Sequence, residues 1–267
     1  MTETTLPGFA RLGLVRAGYE LKQFFREREQ VIFVFSLPVV LLMLFGSVFE
    51  GEWDGTGVTV AEVYTAGMIG AGVLAVSFQN LGISIAMERE DGTLKRLAGT
   101  PMPPASYFLG KILSVLVMGV CELVLLLTVA VLLYGLELPS DWLTLGWVLT
   151  LGLAAGCLLG IAVSSLPRSA RSASAVVTLP FLVLQFISGV FIPFTELPAW
   201  LVNVSSIFPL KWMCQGVRSV ILGPGGESLE MTGSYELGRV ALVLGAWVVG
   251  GLVLCLITFR WKSRRDG

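Results

Sequence analysis

Residues 87–104 read MEREDGTLKRLAGTPMPP, and a long apolar run lies on each side, 61–86 before it and 108–134 after it. In a chain only 14% charged, this short segment gathers six charged side chains, two glycines and three prolines. Two long apolar runs joined by a compact polar segment describe two helices that cross a bilayer and turn in water between crossings. The same arithmetic, carried outward, decides the fold class. A hydrocarbon core about 30 Å thick takes roughly 20 residues of helix. Six runs qualify: 31–49, 61–86, 108–134, 144–166, 173–193 and 238–259. The expected architecture is therefore an all-α integral membrane protein with six transmembrane helices. The first run is not expected to be a cleaved leader, because 30 residues rich in charge precede it and no A-x-A-like site follows it.

Composition excludes several classes of function. The 267 residues are 55% hydrophobic, whereas a soluble domain carries about a quarter charged residues. The net charge of −1 supplies no basic field for nucleic acid. There is no histidine, which removes the commonest general base and the commonest metal ligand, so neither a catalytic nor a metal site is expected. The four cysteines, Cys121, Cys157, Cys214 and Cys255, are dispersed without CxxC spacing and read as buried free thiols.

Lysine and arginine set the expected orientation. Arg11, Arg16, Lys22, Arg26 and Arg28 precede the first run, and Arg89, Lys95, Arg96 and Lys111 lie between or beside the second and third. Arg168 and Arg171 join the fourth and fifth, and Arg260, Lys262, Arg264 and Arg265 form the tail. Fifteen of the 18 basic residues thus fall on one side, leaving Lys211, Arg218 and Arg239. Both termini and the 87–104 segment are expected in the cytoplasm of a multi-pass plasma-membrane protein.

Residues 8–28 place Phe9, Leu12, Val15, Tyr19 and Phe24 near helical spacing, with Arg11, Arg16, Lys22 and Arg26 largely elsewhere around the helix. This pattern predicts an amphipathic helix lying in the cytoplasmic interface, in contact with membrane lipid. The outer connections 50–60 and 135–143 read as turns. The outer segment 194–237 is too long for a turn and too apolar for a solvated loop. Pro198 suits the first turn of a short helix ended by Pro209, and a second helix from Leu210 to Leu222 stops at Gly223-Pro224-Gly225-Gly226. Two short re-entrant helices in the outer leaflet are expected, with protein shielding their exposed backbone. Lys211, Gln215 and Arg218 share one face of the second, where the cations either snorkel to the interface or line an exit.

Within 87–107, Asp91 is placed to cap a helix that Gly99 and Pro101, Pro103 and Pro104 would end. Leu94, Leu97 and Ala98 form a small apolar side, and Lys95 and Arg96 a charged one. A helix of about two turns is unstable alone and must pack against the bilayer surface or another protein. Glu88, Arg89, Glu90 and Asp91 are positioned to pair with basic groups on the amphipathic N-terminal helix.

The stretch EREDGTLKRLAGTPMPPASYFLGKIL resembles the first cytoplasmic loop of permease subunits in the type-2 ABC exporter family, the daunorubicin and multidrug type. GVFIPFTELPAWLVNVSSIFPLKW resembles that family's outer segment, with its glycine, Ile-Pro, Leu-Pro-x-Trp and later Pro-Leu. The order of these motifs extends the resemblance over nearly the whole chain, 1–267, as a single transmembrane domain. It implies that 88–107 is a coupling loop whose helix docks on a nucleotide-binding subunit, with Glu88, Arg89, Glu90, Asp91, Gly92, Thr93, Leu94, Lys95 and Arg96 at the contact. No G-x-x-x-x-G-K-[ST] phosphate cradle occurs; Gly110-Lys111 is followed by Ile112. ATP and Mg are therefore expected on a separate ABC ATPase partner, in two copies, with no cofactor on this chain. The resemblance further implies a dimer with a second permease copy or a paralogue.

The resemblance also implies that the second and fifth runs from two subunits line a central cavity. Phe78, Gln79 and Asn80 on the second and Phe181, Gln185 and Phe186 on the fifth are the candidates for a substrate pathway. Glu122 lies about midway along 108–134, where a carboxyl is costly and by default functional. For all of these the alternative is structural: polar side chains hydrogen-bonding between helices and aromatics packing in the core. The function implied is ATP-driven export of a hydrophobic or amphipathic substrate, drug or lipid-like. A glycan, peptide or sodium exporter has the same frame. A polytopic membrane enzyme fits poorly, lacking a histidine base and a nucleophile elbow.

Overall fold

The computed structural model describes residues 8–259 apart from 50, 54 and 168, so the basic tail and Arg168 lie outside the described residues. Eleven α-helices follow in order: α1 (Phe9–Arg26), α2 (Arg28–Val48), α3 (Val60–Leu74), α4 (Leu81–Glu90), α5 (Thr93–Ala98), α6 (Pro104–Tyr134), α7 (Trp142–Val163), α8 (Ala170–Ile187), α9 (Ala199–Ser205), α10 (Pro209–Ile221) and α11 (Leu237–Thr258). A π-helical segment, Ala75–Asn80, joins α3 to α4 as one continuous rod, and 3-10 turns sit at Phe194–Glu196 and Gly223–Leu229. Among the described residues there is no strand.

Local chemistry explains the boundaries. The Thr59 hydroxyl accepts from the Glu62 amide at 3.3 Å and the Glu62 carboxylate accepts from the Thr59 amide at 2.7 Å, a capping box that starts α3. Asp141 caps α7 by accepting from the Thr144 amide at 2.9 Å. Hydrogen bonding from the Thr144 side chain and then its amide holds the exposed Asp141 carboxyl below its ordinary value. Prolines begin two helices from the first turn, Pro104 in α6 and Pro209 in α10. Pro209 therefore opens the second outer helix, and the first ends four residues earlier at Ser205, because a proline ring fits a helix start and disrupts its interior.

Each of the six apolar runs coincides with a helix, yet among the described residues five rather than six are long and apolar enough to cross a membrane: α2, the rod Val60–Glu90, α6, α7 and α11. The run 173–193 becomes α8, whose apolar stretch Arg171–Ile187 is shorter. Ser188 ends it and Gly189 turns the chain at φ +75°. A left-handed backbone at that point leaves the last residues of the run outside the helix.

The rod Val60–Glu90 is the most deeply buried of the five. It is flanked by α2, α6, α7, α8 and α10. Gly152, Gly156 and Gly160 recur every fourth residue on α7 and let it close on its neighbours. A side chain at Gly160 would meet the Ser77 and Phe78 carbonyls at 2.9 and 2.8 Å, and one at Gly156 would strike Ser77. The π segment is thus clamped by α7 on one side. α1 lies along α6, where Gly110 gives way to the stem of Arg16 and Gly13 to Leu109.

Candidate functional site

The polar segment that opens the sequence resolves into a root and a tip. At the root, Glu88 is the centre of a buried ion cluster rather than a solvated loop residue. Its carboxylate accepts from Arg16 at 2.8 Å, from Lys111 at 2.8 Å and from the Tyr107 hydroxyl at 2.7 Å. Lys111 also donates to Glu20 at 2.7 Å and to Ser84 at 2.9 Å, and Arg16 pairs with Glu20 one turn away on α1. Two cations and two carboxylates balance, so α1, α4 and α6 are joined without net buried charge. Arg89 donates to the Ser164 carbonyl at 2.5 Å, fastening the same turn to the end of α7.

At the tip, α5 is anchored by Leu94, with Leu97 packed partly against the core. Leu94 is fully buried, while Asp91, Lys95 and Arg96 are exposed. The expected cap is displaced by one residue. Gly92 occupies the N-cap position at φ +78°, and Asp91 accepts from the Thr93 amide at 2.8 Å beside it. Gly99 ends the helix as expected, with right-handed backbone at φ −83°, so the left-handed bend lies before the helix, at Gly92.

A cleft of about 410 Å³ lies between α2, the rod and α8. Four of the expected pathway residues line it: Gln79, Asn80, Phe181 and Gln185. Phe78 is buried behind, its ring 6.5 Å from that of Phe181. Phe186 is about half exposed and turns toward Phe191. Glu122 is buried against Gly72. Gln79 donates to Thr178 on α8 at 2.9 Å, and Gln30 donates to Asn80 at 3.0 Å.

The contribution of α2 was not legible as a site in the sequence: Gln30, Phe33, Leu37 and Pro38 form one wall of the cleft. The signal available was a glutamine at the head of an otherwise apolar run and a proline inside it. Gln30 and Asn80 also line a small polar cavity of about 60 Å³ shared with Glu20, Ser84 and Lys111. One hydrogen bond therefore sits between the cleft and the ion cluster.

The opposite end carries a second polar group. Arg218 donates to Glu230 at 2.6 Å and to the Gly189 carbonyl at 3.0 Å, and Gln215 donates to the Tyr235 carbonyl at 2.9 Å. Lys211 lies over the Trp212 ring at 3.9 Å. Burial pulls the Arg218 guanidinium down, and the Glu230 carboxylate more than offsets this, leaving it raised. Burial holds the Lys211 ammonium below its ordinary value despite Glu230. Arg218 neither snorkels nor lines an opening; it ties α10 to the turn after α8, and Glu230, its partner, gave no signal in the sequence.

Residues 16–222, from the ion cluster to the end of α10, match the model of the family described as ABC-2 type transporter. The chain belongs to the ABC-2 type transporter family. This ABC-2 chain is 22% identical over 209 residues to a putative transport permease, YvfS, of Bacillus subtilis, covering 76% of this chain and 83% of the relative. It is 23% identical over 164 residues to a probable multidrug ABC transporter permease, YbhR, of Escherichia coli, covering 61% of this chain and 45% of the relative. It is 24% identical over 184 residues to ABC transporter G family member 20 of Dictyostelium discoideum, covering 68% of this chain and 24% of that much longer protein.

Proposed function

We propose that this ABC-2 chain is the permease subunit of an ATP-driven exporter for hydrophobic or amphipathic molecules. It works as a dimer, with ATP and Mg held by two copies of a separate ABC ATPase. The observation that carries this reading is the construction of α5. Leu94 plugs its inner side into the protein, Lys95 and Arg96 face outward, and its root at Glu88 and Arg89 is bonded to three other helices. A push on the outward face is passed through the ion cluster to α1, α4 and α6 together. The Gln30–Asn80 bond extends that connection to the cleft.

In this reading both termini and α5 are cytoplasmic, the chain lies in the plasma membrane, and α8 completes a sixth crossing with the turn at Gly189. The whole chain acts as a single transmembrane domain. ATP binding closes the ATPase pair and swings α5, and the cleft changes the side to which it opens. The cleft wall is mainly apolar with a few neutral amides, which suits a greasy cargo better than a glycan.

The test is affinity purification of the tagged chain from native membranes, scored for a co-purifying ATPase and for ATP turnover stimulated by hydrophobic compounds. Arg96→Glu, on the outward face, should leave the permease folded and abolish recovery of the ATPase. A permease that recovers no ATPase, with transport indifferent to Arg96→Glu, overturns the reading.

A further inference from the structure

Most buried charged residues described here are paired: Lys111 with Glu20 and Glu88, Arg218 with Glu230. Glu122 differs. It is 1% exposed and neither carboxyl oxygen has a hydrogen-bond partner. Buried polar atoms are almost always bonded, and an orphaned carboxyl in the middle of a membrane helix calls for a partner outside the protein.

The geometry indicates where that partner would sit. A side chain at Gly72 would overlap the Glu122 carboxyl, so the acid lies directly against the bare backbone there. Gly72 is itself part of the cleft wall. Gly72 therefore touches both the carboxyl and the cleft.

The rest of the wall is suited to positive charge. It carries the rings of Phe33 and Phe181 and the neutral amide side chains of Gln30, Gln79, Asn80 and Gln185, and no lysine or arginine. Competing charges are remote. On the elements packed against α6, the charged residues are Arg28 and Glu29 at the head of α2, Glu62 in the first turn of α3, and Arg11, Arg16, Glu20, Lys22 and Arg26 on α1, where Arg16 and Glu20 are already engaged with Glu88 and Lys111. Lys111 is eleven residues from Glu122, about 16 Å along the helix. The π segment and α7 contain no charged residue.

We infer that the cleft takes amphipathic cations, with Glu122 as the countercharge across Gly72. This rests on the reading of the cleft as the cargo site and adds the charge of the cargo.

The experiment measures binding of tetraphenylphosphonium and of neutral triphenylphosphine oxide to the full chain in lipid nanodiscs. Glu122→Gln should weaken the cation tenfold or more and change the neutral probe by less than twofold. Glu122→Asp should retain most of the preference. Leu182→Trp, which fills the cleft, should weaken both probes. In the unaltered chain, the cation and not the neutral probe should slow labelling of Glu122 by dicyclohexylcarbodiimide, read by mass spectrometry. If both probes bind and Leu182→Trp weakens them, but Glu122→Gln shifts them equally or not at all, the inference is overturned while the cargo site stands. Labelling equally fast with and without the cation overturns it likewise. If neither probe binds, or Leu182→Trp has no effect on them, the cleft is not the cargo site and both readings fall.

Discussion

Replacing Lys111 with methionine tests whether the ion cluster is the joint between α1, α4 and α6. The ammonium is 2% exposed and donates to three acceptors, Glu20 at 2.7 Å, Glu88 at 2.8 Å and Ser84 at 2.9 Å. Methionine keeps the volume of the stem and removes the charge. Glu20 and Glu88, each 12% exposed, are then left to share Arg16. Breaking one partner out of a buried pair costs about 3–5 kcal/mol, because the remaining charge stays buried without compensation. For a chain of this size about 2–4 °C of unfolding temperature accompanies each kcal/mol, so a fall of about 10 °C is expected. The seven tryptophans make intrinsic fluorescence on heating in detergent a suitable readout. Glu88→Gln alone should cost less, since Lys111 and Arg16 both retain Glu20. The double variant Lys111→Met with Glu88→Gln removes one charge of each sign and should be more stable than the sum of the singles, by about 1–3 kcal/mol. An unfolding temperature for Lys111→Met within 2 °C of the parent, or strict additivity in the cycle, would refute the claim that this cluster joins the helices.

Three further substitutions probe other parts of the molecule. Arg218→Met should destabilise by about 3–5 kcal/mol, since Glu230 is then buried alone, and Arg218→Met with Glu230→Leu should recover much of the loss in the same heating assay. Gly160→Val should prevent recovery of monodisperse protein by size-exclusion chromatography, because the added carbons meet the carbonyls of Ser77 and Phe78 and backbone cannot yield as a flexible side chain can. Gly92→Ala forces a left-handed backbone on a residue with a Cβ, at a cost of about 1–2 kcal/mol. It should weaken retention of the ATPase several-fold in pull-downs while leaving binding of hydrophobic probes to the cleft unchanged.

The helices were legible along the chain because a bilayer demands a simple thing, a long apolar run, and six such runs stand out by length alone. The amphipathic α1 and the paired short helices of the outer segment were legible from the spacing of apolar residues and from Pro198 and the glycines after Leu222. The exceptions have local physical causes. Residues 188–193 lie outside α8 because a left-handed Gly189 outweighed their hydrophobicity. The cap of α5 moved from Asp91 to Gly92 because a glycine can adopt the positive φ of a sharp bend and an aspartate then serves from beside it. Glu88 had a basic partner foreseen on the N-terminal helix, and Arg16 fills that place. Lys111 and Tyr107 were not foreseen as the others, since a lysine and a tyrosine at the head of an apolar helix read equally well as interfacial anchors.

Hydropathy, charge count and proline placement are one-dimensional quantities, and they determined the helices, the polar hinge between the second and third runs and the absence of histidine chemistry. Which polar groups meet is a different kind of fact. Gln30 and Asn80 are 50 residues apart, Arg16 and Glu88 are 72 apart, and Gly72 and Glu122 are also 50 apart. Their encounters follow from helix rotation and from glycines that let helices close to backbone contact, and no local pattern encodes either. The cleft, the ion cluster and the orphaned carboxyl behind Gly72 exist only once the helices are packed.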